Sequence, residues 1–165
     1  MIFVTVGTHE QQFNRLVKYM DIWAREHDEE VIIQTGYSTY EPKYCKWCKM
    51  FPYNTILEII EKARIVITHG GPSSFIIPLQ MNKIPIVVPR QNKYGEHVND
   101  HQVSFINEII KRSGNIIGVE NISDLEEIIL DYDNIIAGIF EKGVIGNNTN
   151  FCTEFDKMVN QMYFK

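Results

Sequence analysis

Ile65-Val66-Ile67-Thr68-His69-Gly70-Gly71-Pro72-Ser73-Ser74 holds the key to the chain's architecture. A β-branched apolar run that halts at two glycines reads as a buried strand, and Ser73-Ser74 open a helix behind it. Glycine at such a junction lets the backbone approach a ligand closely. The helix N-terminus presents unpaired N–H groups and the positive end of a dipole, which suit a phosphate or diphosphate. A tight strand-to-helix turn with no ligand accounts for the same residues, and both readings stand at this point.

The same unit recurs in both directions along the chain. Ile2 to Val6 is a first strand, broken by Gly7-Thr8-His9-Glu10 and followed by a helix with Phe13, Leu16, Val17, Met20 and Ala24 on one face. That arrangement sets a second glycine turn beside a second helix N-terminus. Val31–Gln34 is a strand ended by Thr35-Gly36, residues 37–44 form a loop, and Cys45–Met50 holds a short strand. Phe51-Pro52-Tyr53 turns into a helix for which Thr55 and Glu58 form a capping box, its core face being Ile56, Ile59, Ile60 and Ala63. Strand Ile65–Thr68 leads to the quoted turn, and the next helix buries Phe75, Ile76 and Leu79, with Pro78 inside it. Pro85–Pro89 brackets another strand. Asn99-Asp100 cap a helix facing inward with Val103, Ile106 and Ile110. Asn115–Val119 is the last strand, and Ser123 with Glu126 forms a second capping box for a helix to about Tyr132. Residues 134–165 read as helical, with a break at Gly143–Asn150 and an amphipathic final helix carrying Phe151, Phe155, Met158, Val159 and Met162.

Alternating strands and helices, with strands apolar nearly throughout, specify an α/β fold: a parallel sheet with helices on both faces. Ligands bind such sheets at the carboxyl ends of the strands. The polar punctuation falls there: Gly7-Thr8-His9, Phe51-Pro52, His69-Gly70-Gly71 and the segment Gly95 to Gln102. The 165 residues read as one domain, 1–165.

Composition narrows the function. A net charge of -5 argues against a nucleic-acid partner. No apolar run approaches the roughly 20 residues of a membrane helix. The N-terminus lacks the positive region of a signal peptide, and three cysteines suggest no disulfide framework, so the expectation is a cytoplasmic protein. Neither G-x-G-x-x-G after the first strand nor G-x-x-x-x-G-K-[ST] is present, which leaves a diphosphate held by glycine turns and helix dipoles. A nucleotide-sugar fits that description, with the hydrogen-bonding side chains of residues 95–102 suited to sugar hydroxyls. A solvated loop with a helix cap is the plainer reading of that segment. Glu96, His97, Asp100 and His101 also invite a metal reading, without a matching remote cluster. Cys45-Lys46-Trp47-Cys48 has the spacing of a redox or metal pair, or holds incidental thiols. His9 is placed to donate to a diphosphate, to act as general base, or to cap the helix.

Residues 1–16, residues 67–89 with Thr-His-Gly-Gly-Pro-Ser-Ser and Ile-Pro-Ile-Val-Val-Pro, and Arg90–Gln102 together resemble the C-terminal domain of glycosyltransferase family 28. The likeness is to the small subunits of two-part bacterial capsule and exopolysaccharide glycosyltransferases. These are similar to the catalytic subunit of the eukaryotic enzyme that adds the second GlcNAc to dolichol-diphosphate-GlcNAc. The resemblance covers roughly residues 1–118. It implies a Rossmann-like domain, the donor-binding half of a GT-B enzyme, transferring a sugar from a UDP-sugar to a lipid-linked acceptor with inversion. No cofactor or metal is implied. A membrane-anchored partner would bind the acceptor and hold this chain at the inner face of the membrane.

By position, the resemblance places Gly7 and Thr8 on the diphosphate, Phe51 over the uracil, and His69, Gly70, Gly71, Ser73 and Ser74 in the second nucleotide loop. Asp100, His101 and Gln102 would contact the donor sugar. The general base would come from the partner, with His9 the candidate within this chain. Many relatives carry a ribose-binding glutamate on the helix after the glycine loop, where this chain has Ile76-Ile77-Pro78. That departure keeps open an alternative, a non-catalytic enhancer subunit that stabilises a transferase.

Overall fold

The computed structural model describes residues 1–141. Six strands, β1 (Ile2–Thr5), β2 (Val31–Gln34), β3 (Lys46–Cys48), β4 (Ile65–His69), β5 (Ile86–Val88) and β6 (Ile117–Gly118), form one sheet in the order β3-β2-β1-β4-β5-β6. Every pairing is parallel. β1 sits at the centre, in register with Val31–Gln34 on one side and Ile65–Thr68 on the other. The chain runs outward from β1 to β3, then returns to β4 on the opposite flank. The carboxyl ends of β1 and β4 therefore form the point at which the strand order reverses, where such sheets leave a crevice for ligands.

The period of two along each strand sorts the core into layers. Ile2, Val4, Ile65, Ile67, Ile86 and Val88 face one way, onto α1 (Asn14–Glu26) through Leu16, Val17 and Met20. Helices α5 (Leu125–Leu130) and α6 (Tyr132–Glu141) complete that layer through Leu125, Ile129 and Tyr132. Phe3 and Val66 face the other way, onto α2 (Tyr53–Lys62) and α3 (Pro72–Gln80). Val87 packs with Phe75 of α3 and Ile106 of α4 (His101–Arg112). Both faces are covered, which is why these strands carry so few polar residues.

Several local expectations are corrected. Thr55 and Glu58 lie inside α2, whose N-cap position is Pro52 and has no side-chain cap. Ser123 and Glu126 do not form a capping box: a 3₁₀ turn at Ile122–Asp124 precedes α5, and the Asn121 side chain accepts the Ser123 N–H at 3.5 Å. The helix there ends at Leu130 rather than running to Tyr132. Asp100 holds the N-cap position of α4, but its carboxylate accepts the Asn92 N–H at 2.7 Å, and Asn99 Oδ1 takes the His101 N–H instead. A preceding turn thus leads into α5, and Asn92 draws off the Asp100 carboxylate at the start of α4. α3 begins at Pro72, the residue before Ser73-Ser74, where the missing proline N–H costs nothing. Ile76 is 42% exposed, not buried, and Ile110 is 36% exposed. The last strand is only two residues, Ile117–Gly118, and α4 packs closely on it: a Cβ on Gly118 would come within 2.5 Å of Ile110 Cδ1. The expected break at Gly143–Asn150 and the final helix Phe151–Met162 lie outside the described residues.

Candidate functional site

A cleft of about 640 Å³ opens at the carboxyl ends of β1 and β4. The β1 turn contributes Thr5, Gly7, Thr8, His9 and Glu10; β4 and the start of α3 contribute His69, Ser73 and Ser74. Gln34, the last residue of β2, forms the floor, and Ile56, Ile60 and Ile77 line an apolar end between α2 and α3. The site thus has a polar mouth and an apolar recess. Gly71 occupies the N-cap position of α3, and no side chain caps that helix, so its first turn carries the amide and dipole character of an anion site. The matching expectation for α1 is corrected. That helix starts only at Asn14, so the first glycine turn is followed by loop, not by a helix N-terminus.

His69 explains the glycines. Its imidazole is buried, and a Cβ built on Gly71 would lie 2.4 Å from Nε2. A Cβ on Gly7 would lie 2.4 Å from Cε1, and Gly7 also has φ +76, which side-chain-bearing residues rarely adopt. The two turns lack side chains because the ring of His69 occupies that space. Gly70 yields in the same way to Gln102, whose Oε1 would be 2.9 Å from an added Cβ. Burial, with Arg90 and the rings of His9 and His97 nearby, pushes the His69 pKa down to about 3. His69 is therefore a neutral imidazole at physiological pH, and its Nδ1 has no hydrogen-bond partner among the described residues.

A buried ionic frame behind the cleft escaped the sequence reading. Arg90 is fully buried and donates to the carbonyls of Val6, Gln11, Gln12 and Glu96, tying the end of β5 to the β1 turn. Its guanidinium lies 4.8 Å from the Phe13 ring centroid, and burial lowers its pKa to about 10. Glu96 is also buried, accepts both Arg15 donors at 2.9 and 3.0 Å, and takes the Gln91 N–H. Gln102 Oε1 accepts the Arg90 N–H at 3.0 Å. The links from Arg90 to the β1 turn and from Arg15 to Glu96 join positions far apart in the chain, so no local motif announces them.

The expected site residues divide accordingly. Gly7, Thr8, His9, His69, Ser73 and Ser74 line the cleft, whereas Gly70 and Gly71 connect β4 to α3 behind it, packed against Gln102 and His69, and do not line it. Phe51 packs edge-on against Phe3, its ring centroid 6.4 Å away, in the core layer beside the recess. Its N–H donates to Gln34 Oε1, while Gln34 Nε2 donates to Thr5 Oγ1. Asp100 and His101 are exposed beyond the mouth, and Gln102 is turned inward to Arg90. Glu96 is engaged by arginine, and among the described residues no three His, Cys, Asp or Glu side chains converge as a metal-ligand set. Cys45 donates to the Asp21 carboxylate at 3.4 Å, and burial with that carboxylate raises its pKa to about 12. Its thiol is thus protonated, not the thiolate of a redox pair. Glu10, Gln34 and the apolar recess were not singled out as site features; Gln34 was legible only as the polar residue ending an apolar strand.

The parallel order and the crevice at its reversal define a Rossmann-like α/β fold of the kind found in GT-B glycosyltransferases. The chain belongs to the glycosyltransferase family 28 C-terminal domain family, which it matches over residues 1–134. Two solved structures share the fold. The glycosyltransferase SnogD from Streptomyces nogalater is 17% identical, over 72% of this chain and 31% of that one, with a TM-score of 0.50. The glycotransferase of kitacinnamycin is 15% identical, over 79% of this chain and 34% of that one, with a TM-score of 0.58. This chain therefore spans about a third of the length of either. No curated protein matches it. No helix among the described residues is long and apolar enough to cross a membrane.

Proposed function

We propose that the cleft binds a UDP-sugar and that this chain is the donor half of an inverting glycosyltransferase. The acceptor is a lipid-linked saccharide of capsule or exopolysaccharide assembly, presented by a membrane-associated partner that holds this chain at the inner face of the membrane. The observation that carries the reading is the joining of the Gly7–Thr8 turn and the uncapped start of α3 in one cleft, with an apolar recess beside them. The diphosphate takes the helix N-terminus, where backbone N–H groups and the dipole stabilise the charge that grows on the departing UDP. The uracil enters the recess of Ile56, Ile60 and Ile77 beside Phe51. Ile77 stands in the region where relatives place a ribose-binding glutamate, and Gln34, fixed by Thr5 and Phe51, is the polar group at hand for the ribose hydroxyls. Asp100 and His101 face the donor sugar from the rim.

Inversion in one displacement needs a base on the side of the acceptor. His9 Nδ1 accepts the Gln11 N–H at 3.2 Å, which engages one ring nitrogen. We assign the base to the partner, with His9 the candidate within this chain. The absence of a carboxylate at Ile77 favours the second reading, a subunit that stabilises the transferase without presenting the donor.

Titration calorimetry with UDP separates the two. Ser73 is exposed, lines the cleft and sits in the first turn of α3. Ser73→Asp puts a carboxylate where it suits the helix dipole and opposes a diphosphate. Saturable UDP binding, weakened at least about tenfold in the variant with Tm unchanged or raised, supports the donor site. No UDP binding, by the chain alone or with its partner, leaves the enhancer.

A further inference from the structure

Four of the five histidines gather at the carboxyl edge of the sheet, contributed by the β1 turn, the end of β4, the segment between β5 and α4, and the first residue of α4. His9 lines the cleft. The His97 ring lies 5.5 Å from it, tilted by 38°, and the His101 ring meets His97 edge-on at 4.5 Å. Hydrogen bonds sort the nitrogens. His9 Nδ1 accepts the Gln11 N–H at 3.2 Å, and His97 Nδ1 accepts the Asn99 N–H at 3.5 Å. Each neutral ring therefore carries its proton on Nε2 and is a donor there. His101 Nδ1 contacts Asn99 Oδ1, an acceptor only, so that ring has the opposite tautomer, with its lone pair on Nε2.

Few opposing charges are available to these rings. Glu96 is paired with Arg15, Asp100 accepts the Asn92 N–H, and Glu10 is the remaining carboxylate of the cleft wall. Partial burial first, then the neighbouring His101, His9 and Arg90, hold His97 below the ordinary histidine range. The His97 ring, from a separate loop, thus stands beside the His9 ring that lines the cleft, with Nε2 of each free of the Nδ1 contacts.

We propose that His97, paired with His9, donates an imidazole N–H to the β-phosphate oxygens of the nucleotide diphosphate, in the bound donor and in the departing UDP. This rests on the donor reading of the cleft. His97 adds a hydrogen bond without adding charge, so its part needs no proton uptake on binding.

The test is calorimetry with UDP and with uridine, which lacks the phosphates. His97→Phe, which keeps a ring and removes the N–H, is expected to weaken UDP about tenfold or more and leave uridine unchanged. His97→Gln, whose side-chain amide nitrogen takes the place of Nε2, is expected to recover most of that loss. At pH 7.5 the UDP binding enthalpy is expected to be the same in HEPES and Tris. UDP binding to His97→Phe as tight as to the unchanged chain overturns the inference and leaves the donor site standing, and so does uptake of about one proton. Failure of the unchanged chain to bind UDP overturns both.

Discussion

His69 shows how one side chain sets the chemistry of its neighbours. Its ring removes the possibility of side chains at Gly7 and Gly71, and burial keeps it neutral. That neutrality has a consequence for stability. The folded protein binds a proton at His69 only near pH 3, whereas the unfolded chain binds one near pH 6.5. Protonation therefore favours the unfolded chain, and the contribution is complete above pH 6.5 and lost progressively as the pH falls toward 3. Urea unfolding between pH 7 and 5 should show stability falling by up to about 1.4 kcal/mol per pH unit more than in His69→Gln. Parallel curves for the two proteins would mean that His69 takes up its proton in the folded state. The glycine-rich turns were visible in the sequence as places of close approach. What fills the space a Cβ would need on Gly7 or Gly71 is the ring of His69, and its meeting with Gly7 joins positions that no local pattern connects.

At the scale of elements, the loops that shape the cleft are joined by buried charge. Arg90 reaches back from β5 to the β1 turn, while Arg15 on α1 meets Glu96 from the segment before α4. Removing one partner of such a pair strands the other in a medium that solvates it poorly. Glu96→Gln is expected to destabilise the protein by about 3 kcal/mol in urea unfolding at pH 7, although Glu96 does not line the cleft. A loss under about 1 kcal/mol would place the pair in the class of exposed bridges. Helix faces and strand runs were legible here because their periods are local. The caps were not: Asp100 gives its carboxylate to the Asn92 N–H, and Asn121 rather than Ser123 caps the turn before α5, since turns compete for the same side chains.

For the whole molecule, the cleft exists only once β1, β2, β4, α2 and α3 have assembled, so a ligand that fills it acts on the folding equilibrium of the entire domain. UDP at a hundred times its Kd is expected to stabilise the chain by about 2.7 kcal/mol and raise Tm by several degrees, as read by calorimetric melting. An unmoved Tm would show that the isolated chain does not form the site. The α/β class, the strands at Ile2, Val31 and Ile65, and the clustering of polar turns at their carboxyl ends were all determined by sequence alone, because burial on both faces demands unbroken apolar runs and leaves polarity for the ends. The order β3-β2-β1-β4-β5-β6, the neutral His69 against its glycines, the Arg90, Arg15 and Glu96 frame, and the meeting of His9 with His97 were decided only by the tertiary structure. Each depends on residues that chain closure brings together across long separations, where no periodicity or spacing can record the contact.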